Sequence, residues 1–232
     1  MRPARPIIGL LGGMGWPSTG RYYTVLNGLA AERRQTIHIM INSLAFDDIA
    51  AIAETDGFDA VGDVLADEAQ RLERAGAFVI LLCAVTAHLA HQKTASAVSV
   101  PVPHIGRAIG RHVRDHSETT FGFLGTRPAL TDDALGFSNG GLIPSPDCMD
   151  TLDRAIRHDI AFGRIGPNQI EAVESAAADL KRQGATAIVL ACTELGLLSD
   201  RLSSFLPKVD AVELHCRDAL ETAGGSTDLA SA

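Results

Sequence analysis

Short apolar runs alternate with longer amphipathic stretches along a chain of 232 residues. The runs fall at residues 7–11, 37–41, 78–82, 99–102, 120–124 and 187–190. They are short and rich in Ile, Val and Leu, the pattern of strands buried on both faces. Between them, residues 58–76 and 169–184 read as helices, and each closes on a glycine, the residue that most easily takes the left-handed turn after a helix. Strand–helix alternation predicts an α/β fold of mainly parallel sheets flanked by helices, with ligands gathering where strands end and helices begin.

The chain also repeats itself. Leu72, Glu73, Arg74, Ala75, Gly76 and Ala77 are echoed by Leu180, Lys181, Arg182, Gln183, Gly184 and Ala185, an offset of 108 residues. The same offset pairs Ile80, Leu81 and Leu82 with Ile188, Val189 and Leu190. Gly9 to Gly12 (GLLG) echoes Gly122 to Gly125 (GFLG), and Val100 with Pro101 echoes Leu206 with Pro207. Three echoes in one order predict two pseudo-symmetric α/β lobes with a cleft between them, the usual place for a small ligand. The polar stretch 111–118 sets the boundary, giving a first lobe over 1–112 and a second over 113–208. Residues 209–223 are expected to pack back on the first lobe, and 224–232 to fray.

Composition narrows the function classes. The chain has 20 Lys and Arg against 28 Asp and Glu, a net charge of -8, and no basic run longer than a pair. That is the wrong balance for a nucleic-acid partner, which needs clustered cations. No apolar stretch reaches the ~18 residues of a spanning helix, so no membrane partner is expected. The first apolar run breaks at Gly12 and Gly13, too soon for a secretory leader. Four cysteines in a chain this long do not make a disulfide framework. A soluble cytoplasmic protein is expected.

The candidate chemistry sits after the strands. Cys192, Thr193 and Glu194 follow the buried run 187–190. A helix starting near Thr193 would lower the thiol pKa through its unpaired amides and partial positive charge. The offset of 108 pairs Cys192 with Ala84, and Cys83 with Ala191. Neighbouring side chains of a strand face opposite ways, so Cys83 is expected to point away from the cleft unless the loop rearranges. Thr86 could cap a helix or bind a carboxylate. His88 could contact ligand or pack on a helix surface. The turn Gly12, Gly13, Met14, Gly15, Trp16 fails the dinucleotide pattern and suits close backbone approach to a small anion. In the mate turn Thr126 offers a hydroxyl, and Arg127 either neutralises a carboxylate or lies exposed. Asn42 and Ser43 end the second run and could face the cleft. Cys148 and Cys216 read as packing. No zinc-ligand spacing is found, and His88 with His91 alone makes no metal site.

The segment Ile8 to Trp16 (IGLLGGMGW), with Ser18, Thr19, Tyr22 and Tyr23, resembles the N-terminal signature of the aspartate/glutamate racemase family. Val102 to Ile105 (VPHI), Leu124 to Arg127 (LGTR) and Ala191 to Leu198 (ACTELGLL) resemble its later motifs. The resemblance runs from Ile7 to about Leu220 and is closest in style to bacterial broad-specificity amino-acid racemases. It implies two lobes with the site between them, a homodimer, an amino-acid or related carboxylate substrate, and no pyridoxal phosphate or metal. It also implies that one thiolate takes the α-proton while a thiol on the other face returns one. Carried over by position, Cys192 is the acid/base. Thr193 and Glu194 contact the ligand or orient the thiol, and Met14, Gly15, Thr86 and Thr126 line the carboxylate pockets. The family's first-lobe pattern Cys-Asn-Thr-x-His reads here Ala84, Val85, Thr86, Ala87, His88, so Ala84 replaces the first thiol and Val85 the asparagine. Three readings follow: a racemase or epimerase in which Cys83 or water supplies the missing base, a single-thiol decarboxylase or other one-face enzyme, or a carboxylate-binding relative.

Overall fold

The computed structural model describes residues 6–132, 134–135, 141–203 and 206–224. Of the tail expected to fray, Gly224 closes the last helix and 225–232 lie outside the described residues. The first half runs β1 (Ile7–Gly12), α1 (Trp16–Glu32), β2 (His38–Ser43), α2 (Phe46–Thr55), α3 (Gly57–Arg74), β3 (Ala77–Leu82), α4 (His91–Ser96) and α5 (Ile105–Asp115). The second runs β4 (Phe121–Leu124), α6 (Arg127–Thr131), α7 (Pro146–His158), α8 (Pro167–Arg182), β5 (Ala187–Leu190), β6 (Lys208–Asp210) and α9 (Ala211–Gly224). Two parallel three-stranded sheets result, β2-β1-β3 and β4-β5-β6, each flanked by helices.

The internal echo reappears as matched atoms. Gly9 faces the Ala77 Cβ and Leu72 Cδ1, while Gly122 faces the Ala185 Cβ and Leu180 Cδ1. A methyl at Gly122 would meet Leu180 Cδ1 at 2.9 Å and one at Gly9 the Ala77 Cβ at 3.1 Å, so glycine at both places favours the close approach of α3 and α8 to their sheets. Helices α3 and α8 both end on a glycine with positive φ, 98° at Gly76 and 105° at Gly184. The Ile80 amide donates to Pro101 O at 3.0 Å, and its mate Ile188 donates to Pro207 O at 2.9 Å.

That last pair explains a departure from the sequence reading. Residues 99–102 form no strand. They occupy the place beside β3 that β6 occupies beside β5. In the second lobe the parallel register Ile188↔Lys208 sets the Val209 amide at the next rung. Its counterpart in the first lobe is Pro103, which has no N–H to donate, so the ladder stops after one bond. Strand β6, absent from the sequence expectation because it is only three residues long, carries the second sheet to Asp210. Helix α9 then lies against α1, α5 and β3, its Val212, Cys216, Ala219 and Leu220 packing with Ile8, Leu10, Tyr22 and Leu26. The Asp210 carboxylate caps α9 through the Val212 amide at 2.8 Å and pairs with Arg21 of α1. That ion pair joins the second sheet's last strand to the first lobe.

Four histidines meet behind the first sheet. His88 is in ring contact with His91, His104 and His215, at centroid distances of 5.9, 4.8 and 5.4 Å. Backbone partners fix the tautomers. His88 donates from Nδ1 to Ala84 O, His91 from Nε2 to Val102 O, and His215 from Nε2 to Pro103 O. His215 Nδ1 then accepts from the Tyr22 hydroxyl at 2.8 Å. Burial holds all four below the ordinary histidine range, with His104 and His215 lowered to about 4. Because these pKa values are depressed, the stability they carry is complete above about pH 6.5 and is lost as pH falls toward 4. For fully buried His215 this is on the order of 3 kcal/mol. NMR titration of the imidazole protons is expected to find His104 and His215 midpoints near 4. Midpoints near 6.5 for either ring would contradict this packing.

Candidate active site

The turns after β1, β3, β4 and β5 converge on a cleft of about 270 Å³. The alternation of the strands decides which residues reach it. The Cys83 amide donates to Leu11 O at 2.9 Å, and the Ala191 amide to Leu124 O at 2.7 Å, so the two occupy equivalent places. Cys83 packs with Val79, Leu81, Tyr22 and Cys216 in the core under α1 and α9. It is 1% exposed and is not among the cleft-lining residues. Burial raises its thiol pKa far above the usual range. One residue on, Ala84 and Cys192 both line the cleft, as the period of two requires. The coordinates therefore place one cysteine thiol on the cleft wall, with a methyl group at the matching position of the other lobe.

Cys192 is held by a buried polar chain. Its Sγ donates to Glu194 Oε2 at 3.0 Å, Thr193 Oγ1 donates to the same oxygen at 2.8 Å, and Ser18 Oγ donates to Thr193 Oγ1 at 2.7 Å. The other oxygen of Glu194 lies against Gly15, where a Cβ would sit 2.3 Å away, and Gly15 has φ 106°. Two independent reasons thus require glycine there. Ser18 and the adjoining Thr19, whose Oγ1 accepts from the Gly13 amide at 2.9 Å, come from the first turn of α1. The loop Gly13, Met14, Gly15 between β1 and α1 delivers them.

The environment of the thiol differs from the sequence expectation. No α-helix starts at Thr193; a four-residue 3-10 turn, Leu195–Leu198, follows instead. Burial and then the Glu194 carboxylate raise the Cys192 pKa well above its ordinary value, and the Glu194 and Leu195 amides oppose this only in part. Burial and the carboxylate both favour the protonated thiol, whose hydrogen bond ends on Glu194 Oε2.

Other expected residues divide cleanly. Met14, Val85, Thr86, Thr126 and Thr193 line the cleft with Cys192 and Glu194. Thr126 Oγ1 also caps α6 by accepting from the Ala129 amide. Gly15, Asn42 and Ser43 are not among the residues lining it: Gly15 lies against the Glu194 carboxylate, Asn42 Nδ2 donates to Glu68 at 2.7 Å, and Ser43 is exposed. Asn42 and Ser43 lie at the end of β2, on the far side of β1 from β3, whose following turn lines the cleft. His88 faces the histidine cluster, and Arg127 pairs with Asp150 on the surface. Cys216 is buried and Cys148 partly so, and the four cysteines are free. The sequence reading passed over the pair His112 and His116 near the end of α5, whose rings lie 4.3 Å apart. Among the described residues no group of three or more His, Cys, Asp or Glu is placed to hold a metal ion. No helix there is long and apolar enough to cross a membrane.

The sequence reading also missed Ser18, and the wall formed by Phe46, Ile49, Ala50 and Ala53 of α2 with Phe58 and Val61 of α3. Phe46, Ile49, Ala50 and Ala53 stand at i, i+3, i+4 and i+7, a helical face legible in the sequence.

Fold and site together define a two-lobed α/β protein with an acid/base-capable thiol in the interlobe cleft. A profile of the Asp/Glu/Hydantoin racemase family matches residues 11–219, and the chain belongs to that family. It is similar to an Asp/Glu racemase-like protein of Yersinia pestis, with 26% identity over 94% of this chain and 99% of that one, TM-score 0.79. It is also similar to an aspartate racemase homologue of Pyrococcus horikoshii OT3, with 26% identity over 94% and 98%, TM-score 0.74. A variant of arylmalonate decarboxylase shares the fold at 16% identity over 95% and 93%, TM-score 0.56.

Replacing Glu194 by Gln removes the negative charge beside the thiol, so the Cys192 pKa is expected to fall. The pH profile of alkylation by iodoacetamide, followed on the Cys192 peptide by mass spectrometry, is expected to shift to lower pH. A midpoint that stays or rises would show that Glu194 does not hold the proton on sulfur.

Proposed function

We propose that this protein moves a proton at the α-carbon of an amino acid or related carboxylate, as a racemase- or epimerase-type isomerase working through Cys192. The observation that carries the reading is the hydrogen bond from Cys192 Sγ to the buried Glu194 carboxylate, on the wall of the cleft. Removing an α-hydrogen leaves negative charge on the carbon and its carboxylate. In that direction Glu194 takes the thiol proton and the thiolate takes the α-proton; the reverse sequence returns it. The hydroxyls of Thr86 and Thr126 stand in the same cleft to stabilise charge growing on the carboxylate. On the face of Ala84, which carries no exchangeable proton, water supplies the second transfer. Family membership supports the isomerase reading, and it also supports chemistry without pyridoxal phosphate or metal.

A second reading has its own observation. With Ala84 and Val85 at one side, proton delivery from a single face suits loss of a carboxylate followed by protonation by Cys192. An apolar side disfavours a retained charge.

Incubation of single enantiomers in heavy water separates the readings. Racemisation gives deuterium in both enantiomers, and one-face exchange gives deuterium with retention. Cys192→Ala is expected to lower exchange by about 10³-fold, and exchange at the native rate would remove Cys192 from the mechanism. Cys83→Ser is expected to leave exchange unchanged. Ala84→Cys is expected to raise inversion relative to retention, and a folded variant with no gain would refute the assigned facing.

A further inference from the structure

The cleft has two chemically different parts. Thr86, Thr126, Cys192, Thr193 and Glu194, all on turns after strands, supply its buried or half-buried polar groups. The face Phe46, Ile49, Ala50 and Ala53 of α2, continued by Phe58 and Val61 of α3, is apolar throughout. Phe46 also meets Phe162 of the second lobe edge to face at 5.4 Å, which carries the apolar surface across the mouth of the cleft.

Charge placement points the same way. The charged residues lining the cleft are Glu54, Arg157 and Glu194. Glu54 and Arg157 lie on exposed helix positions, and Arg157 faces Asp153 at 3.9 Å. A substrate with a second carboxylate would meet two acidic side chains and one solvent-screened guanidinium, a poor exchange for lost hydration. An apolar substituent would instead displace water from the α2–α3 wall. The volume of about 270 Å³ lies just below the range for drug-sized ligands, so the wall has room for one ring or a branched alkyl group.

Building on the proposed chemistry at Cys192, we propose that the substrate is a carboxylate whose α-substituent is apolar, aryl or branched alkyl, seated against Phe46, Ile49 and Phe58. Phe46 is then a specificity-determining residue.

The test uses the full chain and two separate readouts. Binding is measured by isothermal titration with phenylglycine and leucine against aspartate and glutamate, and turnover by α-deuterium exchange on the same four compounds. Phenylglycine or leucine is expected to bind at least about tenfold tighter than either acidic amino acid. Phe46→Ala, and Phe46→Leu as the milder change, are expected to weaken the apolar ligand while leaving aspartate unaltered. Tighter binding of aspartate or glutamate, with its loss in Arg157→Met, would overturn the assignment. So would the absence of binding by all four. Preferred exchange on aspartate would sink the substrate class and leave the proton-transfer reading standing. Tight apolar binding without exchange on any compound would do the reverse.

Discussion

A carboxylate buried beside a cysteine sets the terms for the rest of this site. Glu194 is 5% exposed, and its recorded hydrogen bonds come from neutral donors, the Cys192 thiol and the Thr193 hydroxyl. Burying an ionised group is costly unless hydrogen bonds replace its water. The surrounding sequence meets that demand. Gly15 lets the backbone come up to the other oxygen, Ser18 fixes the Thr193 hydroxyl, and the loop after β1 brings both from the other lobe. The hydrogen bonds from the Cys192 thiol and the Thr193 hydroxyl are therefore part of how the carboxylate is tolerated, which ties the fold of the interlobe contact to the chemistry of the cleft.

Much of this was legible before any coordinates. The internal echoes anticipate the two sheets, and the stretch at an offset of 108 residues carries the paired glycines after α3 and α8 and the equivalence of Cys83 with Ala191. Such features are local: a strand alternates faces whatever surrounds it, and a glycine after a helix needs little tertiary context. The facing of Cys83 follows from that alternation alone.

What escaped the sequence depended on distant partners. Residues 99–102 have strand composition, yet Pro103 stands where the second rung needs an amide. Three residues at 208–210 have too little pattern to announce β6. The thiol pKa was expected to fall from position after a strand, but burial and Glu194 outweigh two backbone amides. Asn42 and Ser43 end a strand as the cleft residues do, but β2 lies on the far side of β1 from β3, whose following turn lines the cleft, and a single chain does not announce that strand order. The α2 wall had the correct periodicity, and nothing in a single chain says whether such a face meets core or ligand.

The two lobes share a backbone plan and differ in chemistry at one matched triplet. Cys192, Thr193 and Glu194 correspond by the offset of 108 to Ala84, Val85 and Thr86. Thiol, hydroxyl and carboxylate in one lobe face methyl, isopropyl and hydroxyl in the other. Val85 is 4% exposed and packs with Ile105, Ile109 and Ala191, so the first-lobe turn has joined the hydrophobic core between the lobes. A substitution at Ala84 alone would leave a local gap in a symmetric site. Apolar residues at both Ala84 and Val85, with an apolar helix face beside them, instead make the asymmetry a property of the whole cleft. The thiol and its carboxylate belong to the second lobe, and the first lobe supplies shape, apolar surface, the Thr86 hydroxyl and the serine that steadies the Thr193 hydroxyl.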